Sequence, residues 1–453
     1  MADPTRTAPS GTGRGLAGAL LAASLMPLNS TMIAVAVPSI ARTVDHDPAD
    51  VTQALVATYL IAAIALQGPG GKLGDRLGHW RVCAFGQAVM GVGAVVGLLA
   101  PNLPVLAGSR ILMATGGALA VPATVALLRL ELPPERRGRA FGMFGAIMAS
   151  AAALGPIIGG VLVDAFGWEA VFVANLPVLL VSAFLVAGVD RSRDVRPAAA
   201  FDWPGSLLLT GALTLLVVAA QHPGGRAVVL VAGGLALMAG FVVRERHAAD
   251  PVIAFGIFGA SAFTAGTLLI CLQNLVMYAL LFELPLVLET LFDLGARETG
   301  QLLIFLMVAM VLMSLVAGRL TERLGPRTLA IAGSLAAVSG MVILLAADLD
   351  ATGEVRLPLA LMGIGLGLCG PAAQTASLSA IRPEQSGMAA GVSSTMRYLG
   401  GVAGIALLGR LLDLQGSADD VRASHHVIVA VFTGVLVLGL FCAALLPGRR
   451  VDA

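Results

Sequence analysis

About fourteen times along this chain an apolar run of roughly 17 to 25 residues ends at a short polar break and another begins, each long enough to cross a hydrocarbon layer ~30 Å thick as a helix. The first are Leu16 to Ile40 and Gln53 to Gly70, the last Gly387 to Leu412 and Val427 to Leu446. Hydrocarbon offers the backbone no hydrogen-bond partners, so such a run must satisfy its own N–H and C=O groups, which a helix does. The expected class is an all-α integral membrane protein of about fourteen transmembrane helices. Composition agrees: hydrophobic residues are 57% and charged residues 12% of 453, too little charge to cover a water-soluble globule of that size. Glycine is abundant at 55 residues, as suits helices that approach one another closely in lipid.

The same inventory excludes several functions. A net charge of +1 without a basic cluster argues against a nucleic-acid partner. Cys83, Cys271, Cys369 and Cys442 lie inside apolar runs with no CxxC spacing, so no metal site is expected. No GxxxxGK[ST] loop is present, which argues against ATP as the direct energy source. No HExxH, paired acid or Ser/His constellation lies in a run, so the chain is not read as an enzyme and no cofactor is expected. The tail up to Arg14 is polar, and the first run is too long for a cleaved leader.

Landmarks recur at a fixed distance, as they do when one half of a chain has been duplicated. Gly71-Lys72-Leu73-Gly74-Asp75-Arg76-Leu77-Gly78 returns as Gly318-Arg319-Leu320-Thr321-Glu322-Arg323-Leu324-Gly325, and Pro122, Gly138, Gly142 and Gly155 return as Pro371, Gly387, Gly391 and Gly404. Two six-helix halves are predicted, at 1–190 and 251–453. Residues 191–250 form a linker and an inserted two-helix hairpin between them, introduced by the charged stretch Asp190 to Asp194. Placing both termini in the cytoplasm puts about 20 of the 28 Lys and Arg residues on that side, the orientation that cytoplasmic loops favour.

Gly71 and Gly78 bracket Asp75 and Arg76 as a tight turn requires. A carboxylate there can meet both an arginine and the positive N-terminal end of a facing helix, so the turn reads as a latch that biases a two-state equilibrium, against the plainer reading of a solvated loop. Glu322 and Arg323 hold the repeated place. In the fifth run, Ala151, Gly155 and Gly159 make a flat stripe for close helix packing, with Pro156 permitting a bend.

Two arginines lie inside apolar runs, where each costs several kcal/mol unless it meets water or a partner. Arg110 is read as facing a central cavity, with snorkelling to the outer surface as the alternative; Arg397 is deeper and faces a cavity or a partner. Glu283 is the one carboxylate clearly inside a run, and two readings fit it: a proton-coupling group, or a boundary or gate residue. At about 100° per residue it points about 140° away from Tyr278 and about 180° away from Asn274. Asn29, Tyr59, Gln67, Asn274, Tyr278 and Gln374 are the remaining polar candidates, each available as a cavity contact or as interhelical glue.

Together these residues resemble the fourteen-helix drug:proton antiporters of the major facilitator superfamily, over nearly the whole chain. The turn from Gly71 to Arg81 is similar to that family's GxLaDrxGrk motif. Arg110-Ile111-Leu112 with Gly116, Gly117 and Pro122 is similar to its fourth-helix motif, and Gly155-Pro156 with Gly159-Gly160 to its antiporter signature GPxxGG. The resemblance implies secondary active transport: proton-coupled efflux of small hydrophobic compounds such as drugs or antibiotics, by alternating access, from the cell membrane and as a monomer. Uniport or uptake of a small neutral or anionic solute is the alternative, with an intramembrane enzyme or lipid scramblase a distant third. Two departures matter. Asn29 stands where the family commonly has a first-helix acid, and Met113 replaces a glutamine. Two arginines against one glutamate favour a neutral or weakly acidic substrate over a dication.

Overall fold

A computed structural model describes residues 12–46, 50–51, 53–189, 202–221, 225–248, 251–294, 296–412 and 417–448. The charged stretch from Asp190 to Asp194 lies outside them. The first half holds α1 (Thr12–Val44), α2 (Thr58–Leu77, entered through a π-turn), α3 (His79–Leu98), α4 (Leu103–Leu130), α5 (Pro134–Phe166) and α6 (Ala170–Ala187). A hairpin of α7 (Trp203–Gln221) and α8 (Gly225–Glu245) follows. The second half holds α9 (Ser261–Phe292), α10 (Ala296–Leu324), α11 (Pro326–Leu345), α12 (Arg356–Ser379), α13 (Ser386–Leu411) and α14 (Ala418–Ala444).

Among the described residues, 12 of these helices are long and apolar enough to cross a membrane, and the chain is a multi-pass membrane protein. Of the fourteen helices, α7 and α13 are not among these 12. Helix α7 is apolar along Trp203–Ala219. Length is not what fails in α13: it has 26 residues, but Ser386, Ser393, Ser394, Thr395 and Arg397 lower its hydropathy. It can be polar because α2, α4 and α9 surround it instead of lipid.

Each half packs by the same scheme. In the first, α1 lies against α5 and α6, and α4 against α2 and α3; in the second, α9 lies against α13 and α14, and α12 against α10 and α11. The halves meet along two seams related by the repeat, α2 with α13 and α5 with α10, while α7 lies on α2 and α13.

Prolines inside these helices leave carbonyls without their usual donor four residues on, and threonines from neighbouring helices supply it. Pro156 vacates the carbonyl of Ala152, which accepts from Thr31 Oγ1 on α1 at 3.0 Å. Pro69 vacates that of Ala65, 3.4 Å from Thr210 Oγ1 on α7. The α1–α5 contact that carries the first of these bonds is tight. A Cβ on Gly155 would lie 1.9 Å from Thr31 Oγ1, and one on Gly159 2.7 Å from the Met32 carbonyl oxygen. Pro156, Ile157 and Ile158 turn outward and Gly160 is half-buried, so the close approach belongs to Gly155 and Gly159. Thr31→Val is expected to orphan the Ala152 carbonyl and destabilise the protein by about 1–3 kcal/mol, read as a lower melting temperature of the purified protein in detergent.

Candidate functional site

At one end of the seams the backbones of the two halves touch. A Cβ on Gly71 would lie 2.0 Å from the Gly387 carbonyl oxygen, and in the contact that the repeat makes equivalent, one on Gly138 would lie 2.8 Å from that of Gly318. Helices end just beyond, at Gly78 and Gly325, whose φ values of 98° and 82° turn the chain in a region that favours glycine. These turns aim Asp75 and Glu322 across the seams. Asp75 accepts from the backbone N–H groups of Gly387 at 2.6 Å and Met388 at 2.7 Å, in the first turn of α13. That is where a helix has unpaired donors and a positive dipole end. His79 Nε2 stands 3.4 Å from the same carboxylate, and both side chains are nearly buried. Glu322 accepts from the Arg139 N–H at 3.0 Å near the start of α5, but it is exposed, as is Arg323. Arg76 is half-buried.

Sequence reasoning missed a third fastening at this end. Arg129, at the end of α4, donates to Ser386 Oγ at 2.6 Å and to the carbonyls of Arg382 and Ile381, tying the first half to the α12–α13 connection. Its place at the tip of a run, among other cytoplasmic-type arginines, gave no sign of a partner so distant in sequence.

Deeper in, the polar candidates divide. Arg110 is fully buried: Nε donates to the Leu55 carbonyl at 3.1 Å, Nη2 to that of Asn29 at 3.0 Å, and the guanidinium lies 4.1 Å from the centre of the Tyr59 ring. Tyr59 itself is buried and donates to the Met26 carbonyl at 2.8 Å. Across the seam, Arg397 donates to Gln374 Oε1 at 3.1 Å, and Ser393 Oγ lies 3.4 Å from the same oxygen. Tyr278 lies against Gly401, where a Cβ would come within 2.8 Å of its ring. The chain has 3 tyrosines, Tyr59 on α2, Tyr278 on α9 and Tyr398 on α13, and both α2 and α9 pack on α13. Tyr398 was not among the sequence candidates, although it follows Arg397 directly.

Three candidates sit elsewhere. Asn29, read as a cavity contact or as interhelical glue, is buried between α1 and α6, donating to Asn175 Oδ1 at 2.7 Å; Asn175 in turn donates to the Val171 and Phe172 carbonyls. Gln67 is sealed in the α2–α13 seam with its amide unpartnered. Asn274 Nδ2 turns back to the Ile270 carbonyl at 2.8 Å.

Glu283 points away from Tyr278 and Asn274. It meets His425 Nδ1 of α14 in a direct hydrogen bond, and both residues are 0% exposed. His425 carried no sequence signal, being one of two adjacent histidines near a helix start. Among the described residues no group of His, Cys, Asp or Glu is arranged to hold a metal.

The sequence pattern of the Major Facilitator Superfamily matches residues 19–405. The chain is 32% identical to the tetracenomycin C resistance and export protein of Streptomyces glaucescens, over 99% of this chain and 89% of that one. It is 30% identical to the puromycin resistance protein pur8 of Streptomyces alboniger, over 97% and 92%. Among solved structures, the proton:xylose symporter XylE has the same fold with a TM-score of 0.69 at 16% identity, covering 96% of this chain and 95% of that one.

Replacing Asp75 by Asn removes the charge from two hydrogen bonds that hold the closed end. A loss of about 1.5–3 kcal/mol is expected, and with it a rise on the order of 10- to 100-fold in amide hydrogen exchange at Gly387 and Met388, measured on peptides from the start of α13.

Proposed function

The chain belongs to the Major Facilitator Superfamily, and we propose that within it the protein exports small, largely apolar molecules in exchange for protons. Residues 1–190 and 251–453 act as the two rocking halves, and the hairpin in 191–250 is an addition of two further spans, as in the drug:proton antiporters. Both termini are cytoplasmic in this reading, so the closed end is the cytoplasmic one and the described conformation is shut toward the cell interior.

The observation that carries the reading is the pair of seams. Two halves joined backbone to backbone at one end, by contacts that a small rotation would release, suit alternating access around a site between them. The export direction is supported by relatives named for resistance and export, one of them alike over almost the full length of both chains. Small residues at the α1–α5 contact keep that helix pair dense, as the antiporter signature requires.

Substrate would bind near the midplane between Arg110 with Tyr59 and Arg397 with Tyr278, Tyr398 and Gln374. Neither arginine has a carboxylate partner among the described residues. A site lined by two guanidiniums and three phenol rings suits a flat neutral or weakly acidic molecule; a dication would meet repulsion.

Inside-out membrane vesicles test both points. Energised vesicles are expected to accumulate puromycin and an uncharged aromatic dye of similar size, and an uncoupler is expected to abolish the accumulation. Arg397→Gln is expected to raise uptake of the cation ethidium relative to the uncharged dye by about fivefold or more, as loss of one charge near a low-dielectric site implies. Accumulation indifferent to the uncoupler would remove proton coupling, and substrate driven the opposite way would make the protein an importer.

A further inference from the structure

Glu283 and His425 are the only Glu–His pair among the described residues in which both side chains are wholly buried, and they lie off the path between the halves. They join α9 to α14, two helices of the same half, and their buried neighbours on those helices are apolar: Leu280, Leu284, Val287, Val421, Ile428 and Val429. One hydrogen bond connects them, while Glu283 Oε2 and His425 Nε2 are buried with no partner. A structural pair usually has its remaining atoms satisfied. This one retains an unused acceptor and an unused ring nitrogen.

We propose that Glu283 and His425 together form a single-proton binding site, separate from the substrate path, whose occupancy decides whether the outer part of α9 stays packed on α14. With one ionisable proton the pair is neutral overall, whether drawn as carboxylate with imidazolium or as carboxylic acid with imidazole. Without it, a bare carboxylate sits beside a neutral ring in an apolar cluster, which costs several kcal/mol. The site therefore loses its proton only when water reaches it, and water reaches it only if α9 and α14 part. A proton taken from water on one side is returned to water on the other, and no bond besides the O–H or N–H is made or broken.

The surroundings let this pair dominate. On α14, Arg422 lies one turn before His425 but is 3.3 Å from Asp419 and 3.7 Å from Asp350, both highly exposed, and His426 turns to the Ala347 carbonyl at 3.0 Å. Asp420, in the first turn, is held by Ser417. On α9, Glu289 and Asp293 lie at the exposed end or beyond it. Between Arg327 and Asp348, α11 has no titratable group, and α12 has none after Arg356 apart from Cys369. On α13, Arg397 is engaged with Gln374, and Arg410 is exposed. From α10, Glu298 is exposed at its start and Arg319, Glu322 and Arg323 belong to the closed end. Packing on α14 places the pair where α9 is also weakest, since Pro285 leaves the Leu281 carbonyl without its helical donor. The same helix presents Tyr278 to Gly401 of α13, five residues before Glu283, so movement at the proton site is felt at the substrate site.

This assignment rests on the proton-coupled export proposed above, and reconstituted protein separates the two. Liposomes holding wild type, Glu283→Gln, His425→Asn or Glu283→Asp are given an imposed pH gradient and puromycin, and binding of puromycin to each detergent-purified protein is measured in a weakly buffered solution with a pH indicator. Wild type is expected to release roughly one proton per puromycin bound, and both neutral variants none, with gradient-driven accumulation at least about tenfold lower and puromycin affinity changed by less than about threefold. Glu283→Asp, which keeps a titratable carboxyl, is expected to restore part of the accumulation and the proton release. Wild type and Glu283→Gln driven equally by the gradient would overturn the site while leaving coupled export standing. A wild type that ignores the gradient would overturn the coupling itself. If Glu283→Gln fails to purify as a monodisperse protein, the proton count of Glu283→Asp against His425→Asn decides, and equal release by the two would overturn the proposal.

Discussion

Two helix pairs, α2 with α13 and α5 with α10, meet so closely that no side chain fits between them, and the rest of the fold is arranged around that contact. Lipid tails are as apolar as leucine, so helices in a membrane gain little from hiding apolar surface and depend on dense packing and on polar contacts. Gly71 against Gly387 and Gly138 against Gly318 supply the first. Once the backbones are that near, the start of α13 lies within reach of the turn after α2, and Asp75 supplies the second. A larger residue at Gly71 or Gly387 would push the carboxylate away from the amides it holds.

The strength of this fastening has to be moderate. A charge-assisted hydrogen bond contributes about 1.5–3 kcal/mol net, so two of them at Asp75 hold a conformation without freezing it. The repeat makes the halves alike but not equal: Asp75 is nearly buried and meets two amides, whereas Glu322 is exposed and meets one. Arg129 adds further bonds on the Asp75 side and has no arginine at the repeated position, which is Leu378. The α5–α10 seam is therefore held by fewer polar contacts at this end than the α2–α13 seam.

Much of the architecture was legible because lipid imposes a length on each element and duplication leaves landmarks in place. Gly78 and Gly325 announced equivalent turns, although Gly71 and Gly318, read as part of those turns, lie inside α2 and α10, and the spacing of Glu283 from Asn274 and Tyr278 already placed them on different faces. What escaped were partners remote in sequence. Asn29 could be read as a cavity contact or as interhelical glue because nothing local revealed Asn175, 146 positions away, as its acceptor. His425 looked like part of a polar helix start, and only the packing of α14 on α9 brings it to Glu283, 142 positions away. Helix α13 was read as an ordinary span because its length was right; that its polar residues exclude lipid from most of its surface depends on three neighbouring helices that no local window contains.

The replacement of a first-helix acid by Asn29 bears on where charge can reside in such a chain. Hydrogen-bonded to Asn175 and offering its own carbonyl to Arg110, Asn29 ties α1 to both α6 and α4 without adding a charge. The Arg110 guanidinium leans instead on backbone carbonyls and the face of Tyr59. In the export proposed above, a path between the halves would keep positive potential from Arg110 and Arg397, which is unfavourable for a proton to occupy. A proton-binding group is better placed away from them, in the other half and on a helix that still touches the substrate path. Glu283 meets both conditions, and His425 gives it the partner that makes its burial tolerable.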